Sequence, residues 1–247
     1  MRPLQVLRYS KINGRLILIW NKSSKKVIGA SYRELLLIVR GRLSRSCSHI
    51  KGHGGLKSAV GHLKKNVTHS LFFAKFDIKS YYESIDHEFL FSILSQWEIG
   101  SYLKSVLIEY LAFSGKQGIP AGGSLSPLLG AIYLDPLNQV MDHLKKKGCI
   151  HYIRYMDDYV ICSSKHWHLK KAIAMMYRIL ERLKLKVHPY KRSIGRCFKG
   201  VDFLGYYFHP KCKLQASATS LMRFMSHFSR LYERGARSKE LWGYVVR

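Results

Sequence analysis

The chain has 247 residues, 47% of them apolar, enough for a sizeable core in one large domain or two intimate subdomains. No run of eighteen apolar residues occurs and Met1-Arg2-Pro3 opens no ordinary signal peptide, so the reading expected is a soluble, cytoplasmic protein with no membrane partner. Five scattered cysteines without a Cys-x-x-Cys pair argue against a disulfide framework or a zinc ribbon, and a formal net charge of +27 favours polyanionic partners.

Apolar residues within 4–9 and 16–20 flank Asn13-Gly14, a strong two-residue turn signal, so the chain should open with a hairpin carrying Lys11 and Arg15 near its tip. Residues 32–39 predict a short buried helix ending at Gly41. The Gly- and His-rich stretch 49–55 leads into an expected helix over 56–63. A strand is predicted over 71–79, then helices over 86–96 and 102–113. The Gly-rich loop 114–123 feeds one long helix over 125–147, with Ser124 as its cap, Pro127 in its first turn and a kink at Pro136. Apolar runs at 149–153 and 159–161 make a hairpin. Leu169, Ile173, Met176, Leu180 and Leu183 have the spacing of a helix laid on a sheet, with Lys170, Lys171, Arg178 and Arg182 on its other face. A late strand over 201–208 and a final basic helix over 218–233 close the chain. Helices laid on one face of an antiparallel sheet give an α+β fold.

Charge is distributed unevenly along these elements. Residues 1–76 carry 16 Lys and Arg against one acid, and residues 159–247 carry 19 against four. Residues 77–158 carry seven against ten. An acid-rich centre between two basic arms suits a nucleic acid held on both sides of a metal site; the plainer alternative is a solvated basic surface.

The acids of that centre carry the chemistry. Tyr155-Met156-Asp157-Asp158 stands at the tip of the predicted hairpin, where adjacent carboxylates repel each other unless a cation sits between them. Asp77 stands far upstream at the end of a predicted strand. Three carboxylates around two Mg²⁺ ions roughly 4 Å apart would drive in-line displacement at phosphorus. Taken alone, Asp157-Asp158 could equally be an ordinary turn. Cys47-x-His49 followed by His53 is the nearest other metal-like spacing, but it offers no fourth ligand for zinc.

In order, FDIKSYYESID (76–86), QGIPAGGSLSP (117–127), YMDD (155–158), KLKVHPYKRSIG (184–195) and VDFLGYY (201–207) resemble consecutive palm blocks of reverse transcriptases, in particular the bacterial type related to group II introns and retrons. The resemblance covers residues 70–210 well and the first 69 only loosely. It implies a right-hand polymerase: fingers over 1–70 with part of 87–123, a palm over 71–210 whose antiparallel sheet is backed by helices, and a minimal thumb over 211–247.

It further implies that Asp77 and Asp157 bind both metals with Asp158 in support, as Mg²⁺ or Mn²⁺ in its place. Tyr82 would be the bulky ring under the incoming sugar, selecting dNTPs, rather than a core aromatic, a role its neighbour Tyr81 would fill because alternate strand residues point oppositely. Gln117 and Gly118 would stand beside the nucleotide, unless 114–123 is a plain flexible loop. Lys191 would lie near the phosphates, or be solvated charge. Phe203, Gly205 and Tyr206 would belong to the primer grip, with about half of the aromatics at 203, 206 and 207 expected in the core. Lys11 and Arg15, or Lys51 and Lys57, are candidates for triphosphate or template phosphates. One departure stands out: relatives often carry Leu-Gly-x-Pro-Leu-Ser-Pro where this chain has Ala121-Gly122-Gly123-Ser124-Leu125-Ser126-Pro127, which puts the placing of the template base in doubt. Endonuclease, RNase H and a long thumb are not expected. The function implied is an RNA-templated DNA polymerase working with a structured noncoding RNA in bacterial antiphage defence, with room for an oligomer or partner protein. The alternatives are a catalytically silent RNA-binding protein, a mobile retroelement's reverse transcriptase and an RNA-directed RNA polymerase.

Overall fold

The computed structural model describes residues 3–12 and 15–237. Strands β1 (Val6–Ile12) and β2 (Arg15–Trp20) pair antiparallel, with Ile12 opposite Arg15; the Asn13-Gly14 turn expected between them lies outside the described residues. Helix α1 (Lys22–Val39) follows, and it is far longer than the 32–39 segment that apolar spacing predicts. Its buried stripe is Ser24, Ile28, Ser31, Leu35 and Val39, so two serines flank the single apolar residue in the front half of the buried face and weaken its hydrophobic signal. Asn21 starts it, accepting the Ser24 N–H at 2.8 Å.

Helix α2 (Gly55–Val67) leads to β3 (Phe72–Asp77), α3 (His87–Leu94) and α4 (Ser101–Ala112). Asp86 caps α3 by accepting the Phe89 N–H at 2.9 Å. The single long helix expected over 125–147 is two helices, α5 (Leu125–Tyr133) and α6 (Asp135–Lys146), broken at Leu134. Pro136 sits in the first turn of α6, where its missing N–H costs nothing, so the break falls ahead of the proline. Ser124 makes no side-chain cap to α5.

Strands β4 (His151–Tyr155) and β5 (Asp158–Ser163), helix α7 (His166–Arg182) and strand β6 (Ser193–Arg196) complete a four-stranded antiparallel sheet ordered β4-β5-β3-β6. The late strand over 201–208 is a tight hairpin, β7 (Val201–Phe203) and β8 (Tyr206–Phe208), to which β9 (Gln215–Ala216) pairs. Leu204 (φ 51°) and Gly205 (φ 83°) turn it with both central residues at positive φ, the type I′ pattern. Helix α8 (Ala218–Glu233) ends the described chain. The α+β expectation holds.

Strand alternation divides the core in two. Ala74, Phe76, Tyr159 and Ile161 pack under Leu169, Ala172, Met176 and Leu180 of α7 in a large cluster that runs from Leu4 to Leu185. Phe73, Val160 and Cys162, on the opposite face, meet Ala59 and Leu63 of α2 with Val201, Phe203 and Phe208 of the small sheet. Asp77 and Asp158 continue the parity of Phe73 and Val160, so the pleat aims both toward the face shared with α2 and the small sheet.

Candidate active site

Asp77 is the direct cross-strand partner of Asp158, on β3 and β5. Two carboxylates in such a position have Cβ atoms about 5 Å apart and repel. They open into a cleft of about 790 Å³ bounded by Lys75, Lys191, Asp202, Gly205 and Arg223. Burial, then the neighbouring charges of Asp157 and Asp77, push the Asp158 carboxyl up to about 6, against the pull of Lys75 and Lys191. Asp77 is 8% exposed, and Lys191 Nζ lies 3.2 Å from its Oδ2. Lys191 therefore meets the acids, in addition to being half in solvent. The His188 N–H also bonds the Asp77 carbonyl at 2.8 Å, tying the 186–191 segment to the end of β3.

Among the described residues no three His, Cys, Asp or Glu side chains already stand as a metal-binding group. The donor set nevertheless fits a hard divalent cation: carboxylate oxygens, two of them opposed on adjacent strands, with the protonation of one favoured by burial and then by a repulsion that a cation relieves.

Two residues that sequence reasoning missed hold the acid-bearing turn. Met156 has φ 56° in the two-residue connection between Tyr155 and Asp158, a conformation costly for a side chain with a Cβ. Arg154, fully buried, donates from NH1 to the Met156 carbonyl at 2.7 Å, from Nε to Asn138 Oδ1 at 3.0 Å and from NH2 to the Ala131 carbonyl at 3.3 Å. His49 Nδ1 accepts the Met156 N–H at 2.9 Å while Nε2 meets the Pro127 carbonyl at 3.2 Å. Those partners fix the imidazole neutral with its proton on Nε2, and burial, then the Arg154 charge, push its pKa down to about 3. Both ring nitrogens are thus engaged by the protein, and His53 bonds the Cys47 carbonyl at 3.0 Å; the Cys47, His49 and His53 spacing is structural. Arg154 could have been found by period 2, since it shares its face with buried Tyr152.

The residues expected on the nucleotide side also meet one another. Gly118 (φ 93°) donates to the Ile85 carbonyl at 2.7 Å, and Ile119 donates to the Tyr82 carbonyl at 2.8 Å. A Cβ at 118 would stand 3.1 Å from the Tyr82 carbonyl oxygen, so glycine is required there. Gln117 is exposed beside this seam. Tyr81 is the core aromatic and hydrogen-bonds the Gly130 carbonyl, while Tyr82 is half-buried with its ring stacked on Tyr81 at 5.6 Å. The division does not come from strand alternation, because β3 has ended and 82–84 is a 3₁₀ turn. Loop 114–123 is no plain flexible loop. Ala121 bonds the Leu18 N–H at 2.9 Å, and Cβ atoms at Gly122 and Gly123 would strike the Leu18 carbonyl and the Tyr110 hydroxyl at 2.4 and 2.1 Å. The unusual Ala-Gly-Gly thus seats the loop on β2 and α4.

The remaining candidates separate. Phe203 is fully buried in the smaller core, so its ring cannot face a primer. Gly205 lines the cleft, and Tyr206 is half-buried on the adjoining strand. Lys51 and Lys57 are exposed, Lys57 next to the cleft-lining Leu56. Lys11 is exposed on β1 and is not among the residues that line the cleft, and the side chain of Arg15 lies outside the described residues.

An antiparallel sheet presenting opposed aspartates at the mouth of a basic cleft, with helices behind it, is the palm of a template-directed polymerase. The family profile described as reverse transcriptase (RNA-dependent DNA polymerase) matches residues 23–208, and the chain belongs to that family. No curated protein matches it. Among solved structures, apo telomerase from Candida tropicalis superposes with a TM-score of 0.63 at 12% identity, over 93% of this chain and 54% of that one. Telomerase from Candida albicans in complex with a TWJ fragment of telomeric RNA gives 0.58 at 14%, over 78% and 37%. The likeness shows the fold, and the chain spans from about a third to about half of those telomerases. Among the described residues no helix is long and apolar enough to cross a membrane.

Proposed function

We propose that the protein is an RNA-templated DNA polymerase that extends a primer 3′-hydroxyl with dNTPs. The observation that carries this reading is the direct pairing of Asp77 with Asp158 at the head of the cleft, one residue from Asp157. Asp77, Asp157 and Asp158 would hold Mg²⁺, or Mn²⁺ in its place, because carboxylate oxygens suit hard cations. When bound, two such ions lower the pKa of the attacking hydroxyl and stabilise the leaving pyrophosphate. The chain's own part is positioning. Arg154 and His49 fix the turn, Lys191 balances the negative charge at Asp77, and the Tyr82 ring beside the Gly118 seam is placed to exclude a 2′-hydroxyl. Gln117 stands to meet the nucleotide, and Gly205 and Tyr206 to meet the primer. Lys51 and Lys57 are assigned to template phosphates.

Residues 1–70 with part of 87–123 serve as fingers, 71–210 as palm and 211–247 as a thumb-like segment. The subtype proposed is the group II intron and retron kind, working in the cytoplasm with a dedicated noncoding RNA in antiphage defence; the basicity of both arms supports an RNA partner. Primer extension on an RNA template by wild type beside Asp157→Ala tests the catalytic reading. A loss of at least about 100-fold with unchanged thermal unfolding is expected, and retained extension would overturn it. Sequencing the nucleic acid that copurifies with the protein tests the dedicated-RNA reading, which fails if no single RNA dominates.

A further inference from the structure

The two ends of the β4–β5 hairpin differ in chemistry. The acid-bearing turn joins Tyr155 to Asp158, whereas the other end carries Cys149 and Ile150 before β4 and Ser163 as the last residue of β5. Five residue steps along β5 separate Asp158 from Ser163, about 17 Å at the rise of an extended strand. At that far end the last turn of α6 meets the first turns of α7 around a cavity of about 170 Å³. Its walls include His143, Lys147, Trp167, His168 and Lys171 and hold no carboxylate. A cavity of that size takes a single planar ring, not an extended ligand.

Trp167 is 59% exposed beside it, with its ring centroid 3.7 Å from that of His168. A single exposed apolar side chain is ordinary on a protein surface. Here the indole borders a cationic cavity, and His168 Nδ1 is buried without a hydrogen-bond partner, although buried polar atoms are almost always paired. Lys147 and Lys171 stand in the cavity walls with no acid among the residues that line it. A flat aromatic surface bordered by lysines matches the combination of base stacking and phosphate contact that holds single-stranded nucleic acid.

We propose that this cavity is a second nucleic-acid site, in which one unpaired base stacks on Trp167 beside His168 while Lys147 and Lys171 hold the flanking phosphates. It extends the polymerase reading by giving a strand that enters or leaves the cleft an anchor at the rear of the palm. The same chemistry serves an RNA template or a DNA product.

The test uses full-length protein whose cleft is filled by a self-priming hairpin, titrated with a fluorescein-labelled 12-nucleotide single-stranded RNA of mixed sequence or its DNA counterpart, read by anisotropy. The loaded wild type should bind at least one of them. Trp167→Ala should weaken that binding roughly tenfold, the size of one lost base stack, with Trp167→Phe recovering most of it. Combined Lys147→Gln and Lys171→Gln should flatten the log–log salt slope by about 1.4, the value for two phosphates on a single strand. Binding of RNA alone assigns the site to a template, and binding of DNA alone to a product. The proposal is overturned if the loaded wild type binds neither strand, or if Trp167→Ala binds like wild type. Extension of the hairpin, measured in parallel, should be equal in all variants; absent extension by wild type would sink the polymerase reading and leave the anisotropy result standing separately.

Discussion

Arg154 is the residue on which the geometry of the aspartate pair most depends. A buried guanidinium donating to the Met156 and Ala131 carbonyls and to Asn138 Oδ1 takes those bonds with it if it is removed, and Asn138 Oδ1 keeps a second donor, the Tyr152 hydroxyl at 3.0 Å. Arg154→Met should therefore cost on the order of 3 kcal/mol in urea unfolding, and primer extension at a temperature where the variant stays folded should fall further, because the Met156 turn loses its tether. A variant as stable as wild type would show that the arginine does not brace the turn. His49 gives a pH signature. Its folded pKa of about 3 lies below the ordinary 6.5, so its contribution is complete above 6.5 and is lost as pH falls toward 3. The Asp158 carboxyl, raised from 3.8 to about 6, acts in the opposite sense, favouring the fold as pH falls through that window. The difference between wild type and His49→Asn isolates the histidine: the gap in melting temperature should narrow between pH 6.5 and 4, and a constant gap would contradict the neutral imidazole. The aspartates were legible because charge repulsion at a hairpin tip demands a reason. His49 was not, because its partners are remote backbone atoms that no local pattern names, and period 2 marks Arg154 only as a buried position, not as the brace of the turn.

Elements with a strong apolar period were legible, and α8 falls on the residues predicted for it. Elements whose buried faces use small residues were not, as the front half of α1 shows. The division of 125–147 escaped for a related reason: α5 is buried on nearly every side, so it carries no polar face to mark where it ends. Glycine carried information that spacing could not convey. Gly122 (φ 102°) is placed where a Cβ would stand 2.4 Å from the Leu18 carbonyl oxygen and 2.7 Å from the Ile17 side chain. Gly122→Ala should lower stability by about 1 to 3 kcal/mol in urea unfolding, through both the contact and the positive φ. It should also raise the KM for dNTP more than it lowers kcat, since the loop that leads back to Gln117 and Gly118 is displaced. An unchanged KM would uncouple the join on β2 from the nucleotide side.

At the scale of the molecule, one large core ties the first hairpin and α1 to the sheet, and the smaller core joins α2 and the β7–β9 sheet to its other face. Helix α8 belongs to neither, and none of its residues is buried. It is held through Ser217, whose N–H bonds the Gly205 carbonyl at 2.9 Å, and it turns Thr219, Ser220 and Arg223 into the cleft that holds Asp77 and Asp158. Leu221, Met222, Met225 and Tyr232 remain exposed along it. A helix that buries so little adds little to folding, but a basic, apolar-edged helix beside a polymerase cleft can grip a duplex. Removal of residues 218–247 should therefore shift the melting temperature by less than about 4 °C, the equivalent of about 1 kcal/mol for a chain of this length. The same truncation should weaken binding of a primer–template hairpin and shorten the products made per binding event, with a smaller salt dependence as arginines leave the contact. A large drop in melting temperature would mean that α8 is part of the folded core, and unchanged binding and product length would remove it from the path of the nucleic acid.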